Sequence, residues 1–404
     1  MILSGLYVPI PTLWSLHTKK ERLQFVVCVT AAVISISAPL WGVCLMARSL
    51  VGEDPLSGEA MFKFGSIIFF ALNFYLALFQ GLDVCRHFKA WLEGLESYQN
   101  SYTTAENGET ERLGRVMRIV TCVFMLVMML IFIAIVVSAG DRLFDVMYFF
   151  KIEAKYDDTY FAFASFSIAL VHYEFLRPCA ALLLFLVISN LIAREVRRLN
   201  DDLLHEKLDK LQSSPQQLES YRLRHVSLCT LISDANRCLR HFLFAVYVFG
   251  TPFILLYMRG NLGTKAAGEL KEMSDYWSVF DILQISVIIA VVTVVGAWIS
   301  HLMHLPHEFL FKLNVQKMTG RASESVSMFL CRLQGQSLGF HVMHLFAVDT
   351  STILMICGTF VTYAVVIIQF QPEVSGSCTA TLDTSAVTWS SDASTLPAIN
   401  ISMA

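Results

Sequence analysis

The chain has 404 residues, of which 55% are apolar and only 16% charged, with a formal net charge of −3 and a mean hydropathy of +0.57. A soluble domain carries roughly a quarter charged residues, so the composition excludes an ordinary soluble protein, and nothing in the charge balance points to a nucleic-acid partner. A run of about 20 apolar residues crosses the hydrocarbon core of a bilayer. Seven such runs are present, and the expected class is an all-α polytopic membrane protein.

Residues 1–23 lack the basic start and small-residue cleavage site of a signal peptide. Pro9 and Pro11 also interrupt their apolar stretch, and they are expected to form a cytoplasmic lead-in. The predicted spans are Gln24–Met46, Met61–Asp83, Ile119–Ala139, Phe161–Ala193, His241–Tyr257, Trp277–Met303 and Val348–Phe370. Together they make 24–370 one seven-helix unit.

Polar side chains within the spans are candidate functional groups, because ionisable residues at membrane depth are costly and face a cavity or each other. Asn73 and Tyr75 interrupt the second span. In the fourth, Glu174 and Arg177 stand three apart, share a face and can pair. His172 and Tyr173 adjoin them, and Pro178 loosens the helix locally. The pair can serve as an internal packing device or as the polar floor of a ligand pocket. Asp281 and Gln284 repeat the three-residue spacing in the sixth span, close to Trp277. Aromatic residues crowd the outward half, among them Phe161, Phe163, Phe166, Tyr247 and Phe249. A small-molecule pocket combines aromatic walls with a few placed polar groups. The candidate ligand contacts are therefore Phe163, Phe166, Tyr173, Glu174, Arg177, Trp277, Asp281 and Gln284.

The fourth apolar run continues as an amphipathic stripe through Val196, Leu199, Leu203 and Leu211. Ser213-Ser214-Pro215 supplies a stop and a new start, with serine as cap and proline in the first turn. A second helix is then predicted through Leu228 and Leu231 into the fifth span. This extension, about 194–240, either covers its own apolar stripe or anchors subunits to one another. Residues 304–347 carry a shorter amphipathic helix on Val326, Phe329, Leu330 and Leu333, which Gly335 and Gly339 are placed to end. His301, His304 and His307 recur every three residues. Pro306 and the lack of a cysteine or carboxylate cluster make polar anchors the expected role, with no metal.

Orientation follows Lys and Arg in the flanking segments. With the N-terminus in the cytosol, the inner segments hold 20 of these residues and the outer ones 7; Lys63, Arg118 and Arg177 fall in or beside spans. The charge asymmetry predicts a cytoplasmic N-terminus, and the odd number of spans an extracellular C-terminus. A G-protein-coupled receptor needs the reverse. Asp141-Arg142 follows the third span but would then face outward, and no Asn-Pro-x-x-Tyr occurs in the last span. Only Cys378 of the ten cysteines falls outside, so no extracellular intrachain disulfide is expected. The tail, 371–404, is rich in Ser, Thr and Ala, reads as disordered, and ends in a glycosylation sequon at Asn400. No P-loop, Gly-x-Ser-x-Gly or dinucleotide fingerprint appears, so neither enzyme chemistry nor a cofactor is expected.

The last span closes on Thr362-Tyr363-Ala364-Val365-Val366-Ile367-Ile368-Gln369-Phe370. A Thr-Tyr pair, five apolar residues and a Gln-Phe pair resemble the C-terminal signature of insect gustatory receptors. The motif covers nine residues, and the pattern of spans extends a weaker resemblance over 24–370. The resemblance implies seven helices with a cytosolic N-terminus, and a tetrameric ligand-gated cation channel whose last helices line a shared pore. It would place Tyr363, Val366, Gln369 and Phe370 at the pore or gate. The implied partners are a small-molecule tastant, monovalent or also divalent cations, membrane lipid, and like or related subunits. Localisation would be the plasma membrane of gustatory neurons. The sugar-receptor branch tends to carry Glu directly after Thr-Tyr; here Ala364 stands there, which favours a bitter or other non-sugar ligand. A secondary transporter remains the alternative from another class, although neither an internal repeat nor paired broken spans are seen. A metabotropic seven-helix receptor comes third.

Overall fold

The computed structural model describes residues 30, 33–34, 36–44, 46–48, 50–51, 58–102, 158–205, 214–266, 272–313, 318, 320–335 and 338–369, the side chains of a minority of these excepted. A helical stretch at Ile36–Arg48 precedes α1 (Gly58–Tyr75), a π-helical turn (Leu76–Gln80) and α2 (Gly81–Tyr102), which run on as one rod. Then come α3 (Asp158–His205), α4 (Pro215–Val248), α5 (Gly250–Ala266), α6 (Glu272–Phe311) and α7 (Gly320–Gly335). The strands β1 (His341–Val342) and β2 (Phe346–Ala347) lead into α8 (Thr350–Gln369).

Among the described residues, four stretches are long and apolar enough to cross a membrane: Lys63–Tyr102, Arg177–His205, Gln216–Arg259 and Ile282–Phe311. They overlap the second, fourth, fifth and sixth predicted spans without sharing their bounds, reaching Tyr102, His205, Gln216 and Phe311 where the expected bounds are Asp83, Ala193, His241 and Met303. Shorter apolar helices at Ile36–Arg48 and Thr350–Val366 fall on the first and seventh. The third span, Ile119–Ala139, lies outside the described residues, as does Asp141-Arg142.

Two helices are far longer than a bilayer requires. At 1.5 Å per residue the 48 residues of α3 reach about 72 Å, against a hydrocarbon core of about 30 Å. The predicted stripe explains the surplus: Val196, Leu199 and Leu203 are all buried. Leu211 lies outside the described residues. The chain restarts at Pro215 as expected, but Ser214 makes no side-chain cap bond; its carbonyl instead accepts from the Gln217 and Leu218 amides. Proline at the first helical position already removes one amide that would need a partner.

The fifth span departs from the sequence reading, being two helices rather than one. The missing amide of Pro252 leaves the Val248 carbonyl without its usual partner four residues on. Phe249 bridges the break, donating to the Ala245 carbonyl while its own carbonyl accepts from Phe253. α5 packs along α1, and their approach is close enough that a Cβ on Gly65 would meet the Tyr257 ring at 2.3 Å. Beside it, Ser66 Oγ and Tyr257 Oη lie 2.8 Å apart.

The amphipathic helix expected before the last span is α7. It buries Val326, Phe329 and Leu333 against α4 and α6, with the Phe329 ring 5.0 Å from that of His225. The hairpin between α7 and α8 has no counterpart in the sequence reading; it is antiparallel and pairs His341 with Ala347 and Val342 with Phe346. Gly339 makes it possible. Its φ of +146° suits glycine alone, and a Cβ there would press on Ser300 of α6 at 3.1 Å. Asn236 of α4 clamps the hairpin, donating to the Gly339 carbonyl at 3.2 Å and accepting from the His341 amide at 3.1 Å.

Candidate functional site

α8 carries the C-terminal motif, and its base is firmly built. Asp349 and Thr352 cap it reciprocally: the Thr352 amide donates to Asp349 Oδ1 at 3.0 Å, and the Asp349 amide to Thr352 Oγ1 at 3.2 Å. The Asp349 amide gains a partner in this way, and the Thr352 amide, which also reaches the Asp349 carbonyl at 3.2 Å, gains a second. Gly296 of α6 lets Val348 approach so closely that a Cβ would meet Val348 Cγ1 at 2.6 Å. Above this base, one face of α8 packs through Ile356 and Phe360. The opposite face is open. Met355, Thr359, Thr362, Val366 and Gln369 recur at intervals of four and three, and all are exposed in the single chain. Leu354 and Val361 on the adjoining stripe are 72% and 64% exposed. The predicted pore residues Val366 and Gln369 thus share one open face, while Tyr363 is half-buried at its margin. Phe370 lies outside the described residues, as does Asn400.

The predicted ligand contacts map onto α3 and α6, which pack side by side. Gln284 Nε2 of α6 lies 3.0 Å from Cys179 Sγ of α3. Arg177, fully buried, donates from Nη1 to the Asn73 carbonyl of α1 at 2.9 Å, and Asn73 Nδ2 donates to the Phe69 carbonyl. A polar layer therefore runs from α1 through α3 to α6 at the level of the expected pocket floor. The side chains of Phe163, Phe166, Tyr173 and Glu174 on α3, and of Trp277 and Asp281 on α6, lie outside the described residues. Only the backbone places them on the stretch leading to this layer.

Of a second polar cluster, only Tyr75 was singled out from the sequence. Gln80, buried at the end of the π turn, donates to the Cys238 carbonyl at 2.7 Å and accepts from the Phe242 amide at 2.8 Å. Those two groups of α4 are each other's ordinary helical partners, so one side-chain amide engages a rung of the neighbouring ladder. One turn on, the buried Asp83 carboxylate takes two bonds from Arg240, at 2.7 and 3.0 Å. His241 Nε2 is 3.3 Å from the same carboxylate, and its other ring nitrogen pairs with Tyr75 Oη. The available signal was positional: Asp83 ends one predicted span and His241 begins another.

Beyond the predicted spans, several polar groups among the described residues tie the helices together. Arg224 of α4 binds Asp202 of α3 and donates to Tyr98 Oη of α2 at 3.1 Å. Arg222, by its hydrogen bonds, holds the Glu219 carboxyl below the usual range; burial opposes this, and Ser325 of α7 adds a bond at 3.1 Å. Burial pushes His225 down to about 4, with Arg332 and His304 adding to the shift and a bond to the Met303 carbonyl working against it.

A bundle of long apolar helices, with polar groups bridging them at depth and one open apolar helix at the end, defines a polytopic helical membrane protein. The sequence profile of 7tm chemosensory receptors matches residues 7–373, and the chain belongs to that family. No curated protein matches it in sequence. Among solved structures, it is similar to the insect olfactory receptor OR5 from Machilis hrabei in complex with eugenol, with a TM-score of 0.63 and 12% identity. It is also similar to a second structure of the same receptor, with a TM-score of 0.60 and 12% identity. Each alignment covers 92% of this chain and 96% of the receptor. At that identity the likeness establishes the fold.

Proposed function

We propose that this chain is a gustatory receptor: a ligand-gated, non-selective cation channel of the plasma membrane, opened by a small non-sugar tastant. Its N-terminus is cytosolic and its C-terminus extracellular, and it works as a subunit of a homo- or hetero-tetramer embedded in lipid. The reading rests chiefly on α8, whose open face carries Val366 and Gln369 of the nine-residue motif. An apolar helix with one packed and one open face suits a wall shared between like subunits, because a ring of four Gln369 amides would meet a partly hydrated cation without fixed charge. The polar layer at Asn73, Arg177 and Gln284 supports a pocket between α1, α3 and α6, and Ala364 supports a non-sugar ligand.

Recordings from cells expressing only this chain, against a tastant panel, test the proposal. Channel-sized unitary currents gated by one compound are expected. Small coupled fluxes would establish a transporter instead, and ligand responses without any current of the chain's own would establish a metabotropic receptor. Robust activation by disaccharides with silence towards alkaloids would overturn the ligand class. Surface staining of an N-terminal tag on intact cells would overturn the orientation.

A further inference from the structure

The outer faces of α2 and α4 change character together at one level. Phe79 in the π turn, Leu82 of α2 and Val248 of α4 are each 40% exposed, as suits side chains that meet acyl chains. Further along the same two faces, away from the membrane core, the exposed residues include Arg86 and Lys89 of α2 and Arg237 and Arg240 of α4. We propose that this basic cluster binds the phosphorylated headgroup of an anionic phospholipid of the inner leaflet, whose acyl chains lie along Phe79, Leu82 and Val248. The choice of leaflet rests on the cytosolic N-terminus proposed above; the headgroup site does not.

Register brings the cations together. Asp83 meets Arg240 at 2.7 Å, while Tyr98, further along α2, meets Arg224, further back along α4, at 3.1 Å. The two helices therefore run antiparallel. One turn on from Asp83, this register sets Arg86 level with Arg237, which lies one turn back from Arg240. Charge then selects the sign of the guest. Asp83 is buried and committed to Arg240, whose side chain is still 47% exposed. Asp234 holds Arg237 at 3.1 Å and Glu93 lies 3.6 Å from Lys89, but both pairs are open to solvent, and such pairs contribute little and give way readily. Arg86 pairs with no carboxylate among the described residues, so the cluster keeps a positive excess. Donor chemistry narrows the guest further. A guanidinium fork takes phosphate oxygens two at a time, and basic groups just cytosolic of a membrane helix are where anionic headgroups are recognised. The apolar strip that runs directly into the cluster favours a lipid over a free phosphate compound.

The full-length chain is placed in nanodiscs of phosphatidylcholine, with or without phosphatidylinositol bisphosphate. Lipid retention is read by native mass spectrometry, and the thermal midpoint is followed in parallel. The parent is expected to retain the bisphosphate lipid preferentially and to unfold at a higher temperature with it; both effects should shrink at high salt. Arg86→Gln and Arg237→Gln should each weaken binding about fivefold, the worth of one basic residue at an anionic surface. Arg86→Lys, which keeps the charge but not the fork, should lose less. Both positions are exposed, so in phosphatidylcholine alone these variants should unfold where the parent does. Arg240 is left intact, because its removal strands Asp83. Lys312→Gln, exposed just beyond α6, should leave binding unchanged. A parent without preference for the bisphosphate lipid overturns the site, as does an undiminished preference in the Arg86→Gln, Arg237→Gln double variant. Stabilisation by soluble inositol trisphosphate equal to that by the lipid overturns a lipid occupant. Both leaflets of a nanodisc carry the same lipid, so a reversed orientation leaves these results unchanged; it shows only in the tag staining, and overturns the inner leaflet alone.

Discussion

The Asp83–Arg240 pair makes a prediction about asymmetry rather than mere importance. The Asp83 side chain is 3% exposed and that of Arg240 47%, so one end of the bridge is dry and the other wet. Arg240→Ala leaves a buried carboxylate facing only His241 at 3.3 Å. Removing one partner of a buried pair costs about 3–5 kcal/mol, and water reaching the vacated, half-exposed side reduces this to about 2–3 kcal/mol. Asp83→Asn removes the charge that needed burial. Arg240 is then free to turn to solvent, and the loss of charge-assisted hydrogen bonding costs about 1 kcal/mol. The double variant has neither a buried charge nor a stranded partner, and should be more stable than Arg240→Ala alone. Thermal midpoints of the four proteins in one detergent, followed by tryptophan fluorescence, give the ordering. Equal losses in the two single variants, with the double variant equal to their sum, would refute the reasoning, since groups that truly share a buried bridge do not add.

Gln80→Leu should cost about 2 kcal/mol, since it deprives two buried backbone groups of α4 of a partner; a midpoint unchanged from the parent would show that the ladder re-forms without the amide. For His225 the folded value of about 4 lies below the ordinary 6.5, so the unfolded chain takes up the proton more readily. Its contribution, on the order of 3 kcal/mol, is fully present above about pH 6.5 and is lost as the pH falls towards 4; a His225→Phe variant should show a flatter midpoint-versus-pH profile over that window. Gln369→Ala should alter ionic selectivity or conductance, and Val366→Ala or Phe370→Ala should raise current without ligand. Three variants that reach the surface and conduct like the parent would remove α8 from the gate.

Hydropathy located the described spans because length and apolar content are properties of a segment by itself. The amphipathic stripe of α7 and the buried Val196–Leu203 stripe were legible for the same reason, as periodicity needs no knowledge of the partner. Tertiary pairing was not legible. Gln80 meets Cys238 and Phe242 across more than 150 positions of chain, and nothing local marks a glutamine as a backbone clamp. The Arg177 bond to a backbone carbonyl of α1 was equally hidden, since such a partner is one that every residue offers and no sequence pattern advertises; the expected pairing with Glu174 lies outside the described residues. The split of the fifth span could have been foreseen from Pro252. The hairpin before α8 could not, because two-residue strands carry too few side chains to show an alternation.

The base of α8 has a mechanical consequence. The helix is gripped at one end by the Asp349–Thr352 cap, the Gly296–Val348 contact and the hairpin that Asn236 holds, while much of its length stands open. It is in effect a cantilever. Its 20 residues span about 30 Å, so a tilt of about 10° at the root would sweep the Gln369 end through about 5 Å. A displacement of a few tenths of an ångström where Gly339 rests on Ser300 would thus be magnified many times at the tip.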